Sequence, residues 1–416
     1  MRAEDAVKSG WSERVRHTES AIQRLKARGL AHARVEDARL DGRQIELDGR
    51  RLVNFGSCSY LGLETDARLK RAACEAVERY GVVFSSSRAY VSLPLYAQFE
   101  ALLSEIVGGY PVVVAPTTSL LHQAALPILV NEADAVCFDV MVHSSVQAVL
   151  PTLMQRGIHC EPVPHGRLDA LERRVRRLSA QYARVFYLCD GVYSMHGDLA
   201  NVSKLWALLD GFPSLFAYVD DAHGVGWAGR HGAGIVLGEH GLHERMAVAL
   251  GLAKSFATGG AVLALARAEL AQRIFTCGGP LIFTGPLQPA QLGAGIASAR
   301  IHLSAELGEL QARLRARIEL FDELVGGAGS WTQSRSPIRF LEVGSDEAAA
   351  DLAAKLLAAG YFVNTAVFPA VARGHAGVRL MLTCQQELDD VRGLGETLAR
   401  CLRQLPAARA AAAVGP

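Results

Sequence analysis

Six short apolar runs recur through the middle of the chain, and they constrain the fold more than any other feature. They are VVVAP (112–116), AVCFD (135–139), ARVFYLCD (183–190), SLFAYVDD (214–221), MAVALGL (246–252) and AVLALA (261–266). A continuous apolar run, rather than strict alternation, marks a strand buried on both faces. Amphipathic segments with helical spacing lie before and between these runs, at 66–80, 95–107, 119–130 and 144–156. Buried strands interleaved with helices predict an α/β architecture around a mostly parallel sheet. Several runs end in Asp or in a glycine-rich turn, and the carboxyl ends of strands are where open α/β sheets bind ligands.

The flanks read differently. Residues 12–29 have helical periodicity, and in RQIELDGRRLVNF the Asp48-Gly49 pair predicts a two-residue hairpin. A single long helix is expected from about 286 to 325. It is followed by IRFLEVG (338–344), a helix at 346–359, YFVNTAV (361–367), GVRLMLT (377–383) and a helix at 386–404. With 416 residues the chain exceeds one compact core. The expected division is an N-terminal arm at 1–50, a large domain at 51–300, a smaller α+β domain at 301–405 and a frayed tail at 406–416.

A net charge of +1, from 43 basic and 42 acidic side chains, provides no electrostatic drive toward nucleic acid or an anionic membrane. The first twenty residues lack an apolar signal core, and no uncharged apolar run reaches membrane-spanning length. The eight cysteines form no C-x-x-C pair, so no metal site is expected. They read as reduced thiols of a cytoplasmic protein.

Three segments carry the chemistry. In Tyr218-Val219-Asp220-Asp221-Ala222-His223-Gly224 a buried strand ends in two carboxylates, with a histidine close behind. A carboxylate there needs a partner: either a protonated heterocycle nitrogen or the backbone of the following turn. In Gly251-Leu252-Ala253-Lys254-Ser255 a lone lysine stands between two apolar runs. It is one of only six lysines, and the other five lie in charged or amphipathic contexts. Apolar surroundings suit a nucleophilic amine for Schiff-base chemistry. The third segment, DGVYSMHGD (190–198), is another strand-to-loop junction with a hydroxyl and glycines.

Together with VNFGSCSYLGLE (53–64), SSSRAY (85–90), VHSSV (142–146), IFTGPLQPA (282–290) and YFVNTAVFPAV (361–371), these segments resemble the α-oxoamine synthase family of pyridoxal-phosphate enzymes, across about residues 40–400. The resemblance implies fold type I, with a seven-stranded-type sheet in the large domain. It implies pyridoxal phosphate as cofactor, an amino acid and an acyl thioester of coenzyme A or acyl carrier protein as substrates, and an α-aminoketone product. A homodimer with shared sites is also implied. An aminotransferase or decarboxylase on the same fold is the alternative. By the same resemblance Lys254 would hold the cofactor aldehyde and act as base, and Asp220 would pair with the pyridine nitrogen. His223 would contact the phenolic oxygen, His143 would stack on the ring, and Ser194 would sit near that oxygen or the Schiff base. Thr117, Thr118 and Ser119, opening a helix, would bind the phosphate. Thr284 would reach the phosphate of the other subunit.

Four positions depart from the family pattern. Gly251 stands where many members have a phosphate-binding Thr, and Ser255 or Thr258 could compensate. Cys58 replaces Asn in S-N-D-Y-L-G, and Val367 replaces the Arg of an R-P-P motif. Thr117-Thr118-Ser119 replaces S-G-F/Y, with His122 where a helix-facing Asn follows. Cys58 and Val367 both bear on the substrate carboxylate, which then needs another arginine; Arg88 and Arg379 are the candidates. The stretch around 361–371 is similar to that of bacterial serine palmitoyltransferases and of synthases beside polyketide or fatty-acid machinery. That favours a long or carrier-bound acyl chain.

Overall fold

The computed structural model describes residues 3–326 and 334–403, so the tail expected at 406–416 lies outside the described residues. The chain divides into two compact units. One comprises the described residues up to Cys58, the segment Met195–Gly197 and those from Leu314 onward; the other comprises Ser59–Ser194 and Asp198–Arg313.

In chain order the strands begin with β1 (Gln44–Leu47) and β2 (Arg50–Asn54). Seven more follow: β3 (Val112–Ala115), β4 (Asp134–Asp139), β5 (His159–Val163), β6 (Arg184–Asp190), β7 (Leu215–Asp220), β8 (Met246–Gly251) and β9 (Ala261–Leu265). The last four are β10 (Ile338–Gly344), β11 (Tyr361–Phe362), β12 (Asn364–Ala366) and β13 (Ala376–Met381).

The second unit is built on a seven-stranded sheet of order β3-β9-β8-β7-β6-β4-β5. Only β9 runs against the rest. The six apolar runs are six of its strands. Those at its centre are buried along their whole length, as in β8 and β9, because helices cover both faces. The seventh, β5, carries Glu161 and Pro162 and is partly exposed. It is an edge strand, where proline is tolerated and the apolar signal is diluted. The expected helix at 144–156 is two pieces, Ser144–Gln147 and Leu150–Gln155, the second opening with Pro151 in its first turn.

The single helix expected at 286–325 is a second correction. It is two helices, Pro289–His302 and Glu306–Val325. The Ser304 hydroxyl donates to the Ile301 carbonyl at 2.8 Å, and such a local bond competes with helix continuation.

In the first unit β1 and β2 form the expected hairpin. Asp48 and Gly49 both adopt positive φ (49° and 69°), as its tight turn requires. The hairpin continues into a sheet: β11 pairs in parallel with β2, giving the order β1-β2-β11. A second antiparallel sheet has the order β10-β13-β12. Beneath it Arg339 is fully buried and uses all its donors. It pairs with Asp322 at 2.7 and 2.6 Å and donates to the carbonyls of Ser336 (2.6 Å), Ile338 (2.8 Å) and Ser334 (3.0 Å). Replacing Arg339 with Leu removes these bonds together. The expected cost is about 3 kcal/mol of stability, read as a lower urea midpoint by circular dichroism.

Candidate functional site

The carboxyl ends of β3, β4, β6, β7 and β8 lie at one edge of the sheet because these strands run the same way. The loops leaving them line a cavity of about 310 Å³ within the second unit. It brings together Thr117, Thr118, Ser119, His143, Asp220, His223 and Lys254, seven of the residues singled out from the sequence.

Thr117 caps the helix Thr118–Leu129, its hydroxyl accepting from the Leu120 N–H at 3.2 Å. The remaining first-turn N–H groups and the Thr118 and Ser119 hydroxyls make this end a fit for a phosphate. Gly251 has a steric reason: a Cβ there would lie 2.8 Å from the Ala222 Cβ and 3.4 Å from the Thr118 hydroxyl oxygen. No threonine fits, and Thr118 supplies the hydroxyl nearest that spot. The compensation expected from Thr258 is absent, since its hydroxyl donates to the Gln291 carbonyl at 2.7 Å. That of Ser255 is buried with no hydrogen-bond partner.

Asp220 ends β7 almost fully buried. Its Oδ1 accepts from the Ala222 N–H (3.0 Å) and its Oδ2 from His122 Nε2 (3.0 Å). Burial alone would raise its pKa. The His122 imidazole, by charge and hydrogen bond, and then Lys254 and His143 outweigh this and hold it at about 2. His122 Nδ1 meets the Tyr218 hydroxyl at 2.8 Å. The sequence offered His122 only as a departure, but Thr118 and His122 are one helical turn apart on one face, a spacing that could have joined them. Asp190, across the register from Asp220, is pushed well above the usual carboxylate range by burial and then by Asp220 itself, so the two carboxyls share one charge. Asp190 accepts the His143 backbone N–H at 3.0 Å. The His143 Nδ1 lies 2.6 Å from the Ser145 hydroxyl, which orients the ring, and burial holds that ring below the usual imidazole range. His223 Nδ1 meets the Tyr60 hydroxyl at 2.7 Å.

Several candidates lie elsewhere. Ser194 and Thr284 are not among the cavity-lining residues, and the Thr284 hydroxyl donates to the Pro280 carbonyl at 2.6 Å. Arg88 is committed to packing: it pairs with Glu100 at 2.8 Å and lies over the Tyr96 ring at 3.7 Å. Arg379 and Cys58 are neighbours in the first unit, with Nη2 to Sγ at 3.7 Å. Val367 is buried in that unit.

The model of the class I and II aminotransferase family matches residues 50–391. The 8-amino-7-oxononanoate synthase of Symbiobacterium thermophilum is 32% identical over 362 residues, covering 86% of this chain and 90% of that protein. The chain belongs to the α-oxoamine synthase family, within the class I and II aminotransferases. Solved structures agree on this family's fold. A serine palmitoyltransferase from S. paucimobilis superposes with a TM-score of 0.84 at 21% identity, covering 97% of this chain and 100% of that one. The Sphingomonas wittichii serine palmitoyltransferase gives 0.83 at 24% identity, covering 92% and 98%. For a family member the cavity's donor set fits the cofactor. It holds an amine for an aldehyde, an ionised carboxylate for a protonated ring nitrogen, an imidazole, and a hydroxyl-rich helix N-terminus for a phosphate.

Asp221, beside Asp220, is different again. It is fully buried, accepts the Val236 N–H at 3.0 Å and is pushed up to about 7, chiefly by burial. Between about pH 4 and pH 7 the folded state keeps a proton that the unfolded state releases, so this group's contribution to stability falls as pH rises through that window. Asp221→Asn cannot ionise. Its melting temperature, compared with the parent's in a pH series, is expected to fall less across that window.

Proposed function

We propose that this protein is a pyridoxal-phosphate-dependent acyltransferase. It condenses an amino acid with an acyl thioester of coenzyme A or an acyl carrier protein, releases CO2 and yields an α-aminoketone. The observation that carries the reading is the gathering of Lys254, Asp220, His143 and the hydroxyl-capped helix around one cavity in an α-oxoamine synthase family chain. The first relatives are 8-amino-7-oxononanoate synthases, which supports the same reaction class.

When bound, the cofactor supplies an electron sink for the charge left at the amino acid's α-carbon. Lys254 Nζ is the amine that would hold the cofactor's aldehyde, and when free it is the base that would take the α-proton. Asp220 would keep a proton on the ring nitrogen, His143 would cover the ring face and His223 would contact the phenolic oxygen; Ser194 does not line the cavity. Thr117, Thr118 and Ser119 anchor the phosphate, and Gly251 leaves room for Thr118 to do so. Of the two arginines proposed from the sequence for the amino acid's carboxylate, Arg88 pairs with Glu100, and Arg379, 3.7 Å from the Cys58 thiol, is the one whose role is put to the test.

The active form is a homodimer, in which Thr284 serves the neighbouring copy's phosphate site. Val82, Val83, Tyr90, Val91 and Phe283 are exposed, and large exposed apolar groups in one neighbourhood mark an interface. Their segments are tied together by the Ser87 hydroxyl on the Ile282 carbonyl (2.7 Å) and by the Phe84 N–H on Gln288 Oε1 (2.9 Å). A cytoplasmic setting is supported by eight free thiols and by the absence, among the described residues, of any helix long and apolar enough to cross a membrane.

Mass spectrometry of products from a panel of amino acids and acyl thioesters tests the reading. The expected product is an α-aminoketone with release of a free thiol and CO2. An amine formed from a keto acid, with the thioester untouched, would replace it with transamination. Lys254→Ala is expected to lose the near-visible Schiff-base absorbance and all turnover. Arg379→Ala is expected to raise KM for the amino acid by about tenfold or more with a smaller change in kcat, the mark of lost carboxylate binding. An unchanged KM removes Arg379 from the site.

A further inference from the structure

We propose that His122 is a positioning residue, the middle member of a buried relay Tyr218–His122–Asp220 that keeps the cofactor's ring nitrogen protonated. The inference rests on the functional reading above and extends it to residues that do not touch the reacting atoms. Its basis is geometric. Asp220, as a carboxylate, can only accept, so His122 Nε2 carries the hydrogen across the 3.0 Å contact. The Tyr218 hydroxyl, 2.8 Å from Nδ1, engages the remaining ring nitrogen and fixes the orientation of the ring. All three side chains are buried: His122 is 0% exposed, Tyr218 1% and Asp220 4%.

The relay also fixes direction. With one Asp220 oxygen bonded to the Ala222 N–H and the other to His122, the carboxylate cannot rotate, and its remaining lone pairs are held at the cavity wall. The anchor comes from the same helix that presents Thr118 to the cavity one turn earlier, so one rigid element serves both the phosphate end and, through Asp220, the ring-nitrogen end. An asparagine at 122 carries its amide donors and acceptor on a shorter arm, with no nitrogen at the reach of Nε2. The histidine and the tyrosine form one device.

The test loads the parent, His122→Phe, His122→Gln and Tyr218→Phe with pyridoxal phosphate labelled with 15N in the ring. The ring-nitrogen shift is followed against pH, alongside the absorbance on Lys254 and kcat. In the parent the nitrogen is expected to stay protonated at neutral pH. In His122→Phe the absorbance persists, the shift moves toward the unprotonated position, and kcat falls about tenfold to a hundredfold, the scale seen when an orienting partner is lost. His122→Gln, whose Nε2 can donate from a similar reach, is expected to restore most of the protonation. Tyr218→Phe is expected to move the shift the same way but less. Cofactor uptake with a parent-like shift in His122→Phe overturns the relay alone. Should His122→Phe not fold, a parent-like shift in Tyr218→Phe overturns it. A parent protein that takes up no cofactor overturns the functional reading, and the relay with it.

Discussion

An ionised carboxylate at the buried end of a central strand is the demand around which the site is organised. Taking Asp220 out of water favours its neutral form, and a neutral acid could not hold a protonated ring nitrogen. His122, Ala222 N–H, Lys254 and His143 all act against that tendency. Each comes from a different loop or helix, so the charge state of one side chain depends on the parallel sheet delivering four strand ends to one edge.

The neighbouring carboxyls show how local the balance is. Asp190 and Asp221 lie within the same buried layer, and both are raised where Asp220 is lowered. Only Asp220 has an imidazole against it. Asp221 instead sits among glycines: a Cβ at Gly191, Gly224 or Gly234 would come within 2.1 to 2.4 Å of its carboxyl oxygens. Those glycines let the backbone close around the carboxyl. Asp190 and Asp220, which line the cavity that also holds Lys254, share one negative charge.

Much of the fold is legible in the sequence because most of the sheet is buried on both faces. Burial leaves no polar residue to interrupt VVVAP, AVCFD or AVLALA, so the strands show as runs. The edge strand β5 escapes because half of it faces outward and Pro162 breaks its pattern. The break at Ser304 escapes because its hydroxyl bonds the Ile301 carbonyl on one side and the Glu306 N–H on the other, and serine alone does not distinguish a helix interior from its end. Lys254 and Asp220 are legible for the reason the strands are: a charge in an apolar stretch stands out.

The sequence by itself determined the α/β class, the family, and the lysine and carboxylate at the strand ends, because these depend on residue type and order along the chain. Tertiary structure decided which side chains hold those groups. His122 is 98 residues from Asp220 and Tyr60 is 163 from His223, and no periodicity links such pairs. It also decided that Arg88 is claimed by Glu100 and that β2 and β11 share a sheet. A hydrogen bond or ion pair depends on distance in space, and chain separation carries almost no information about that until the sheet has brought the loops together.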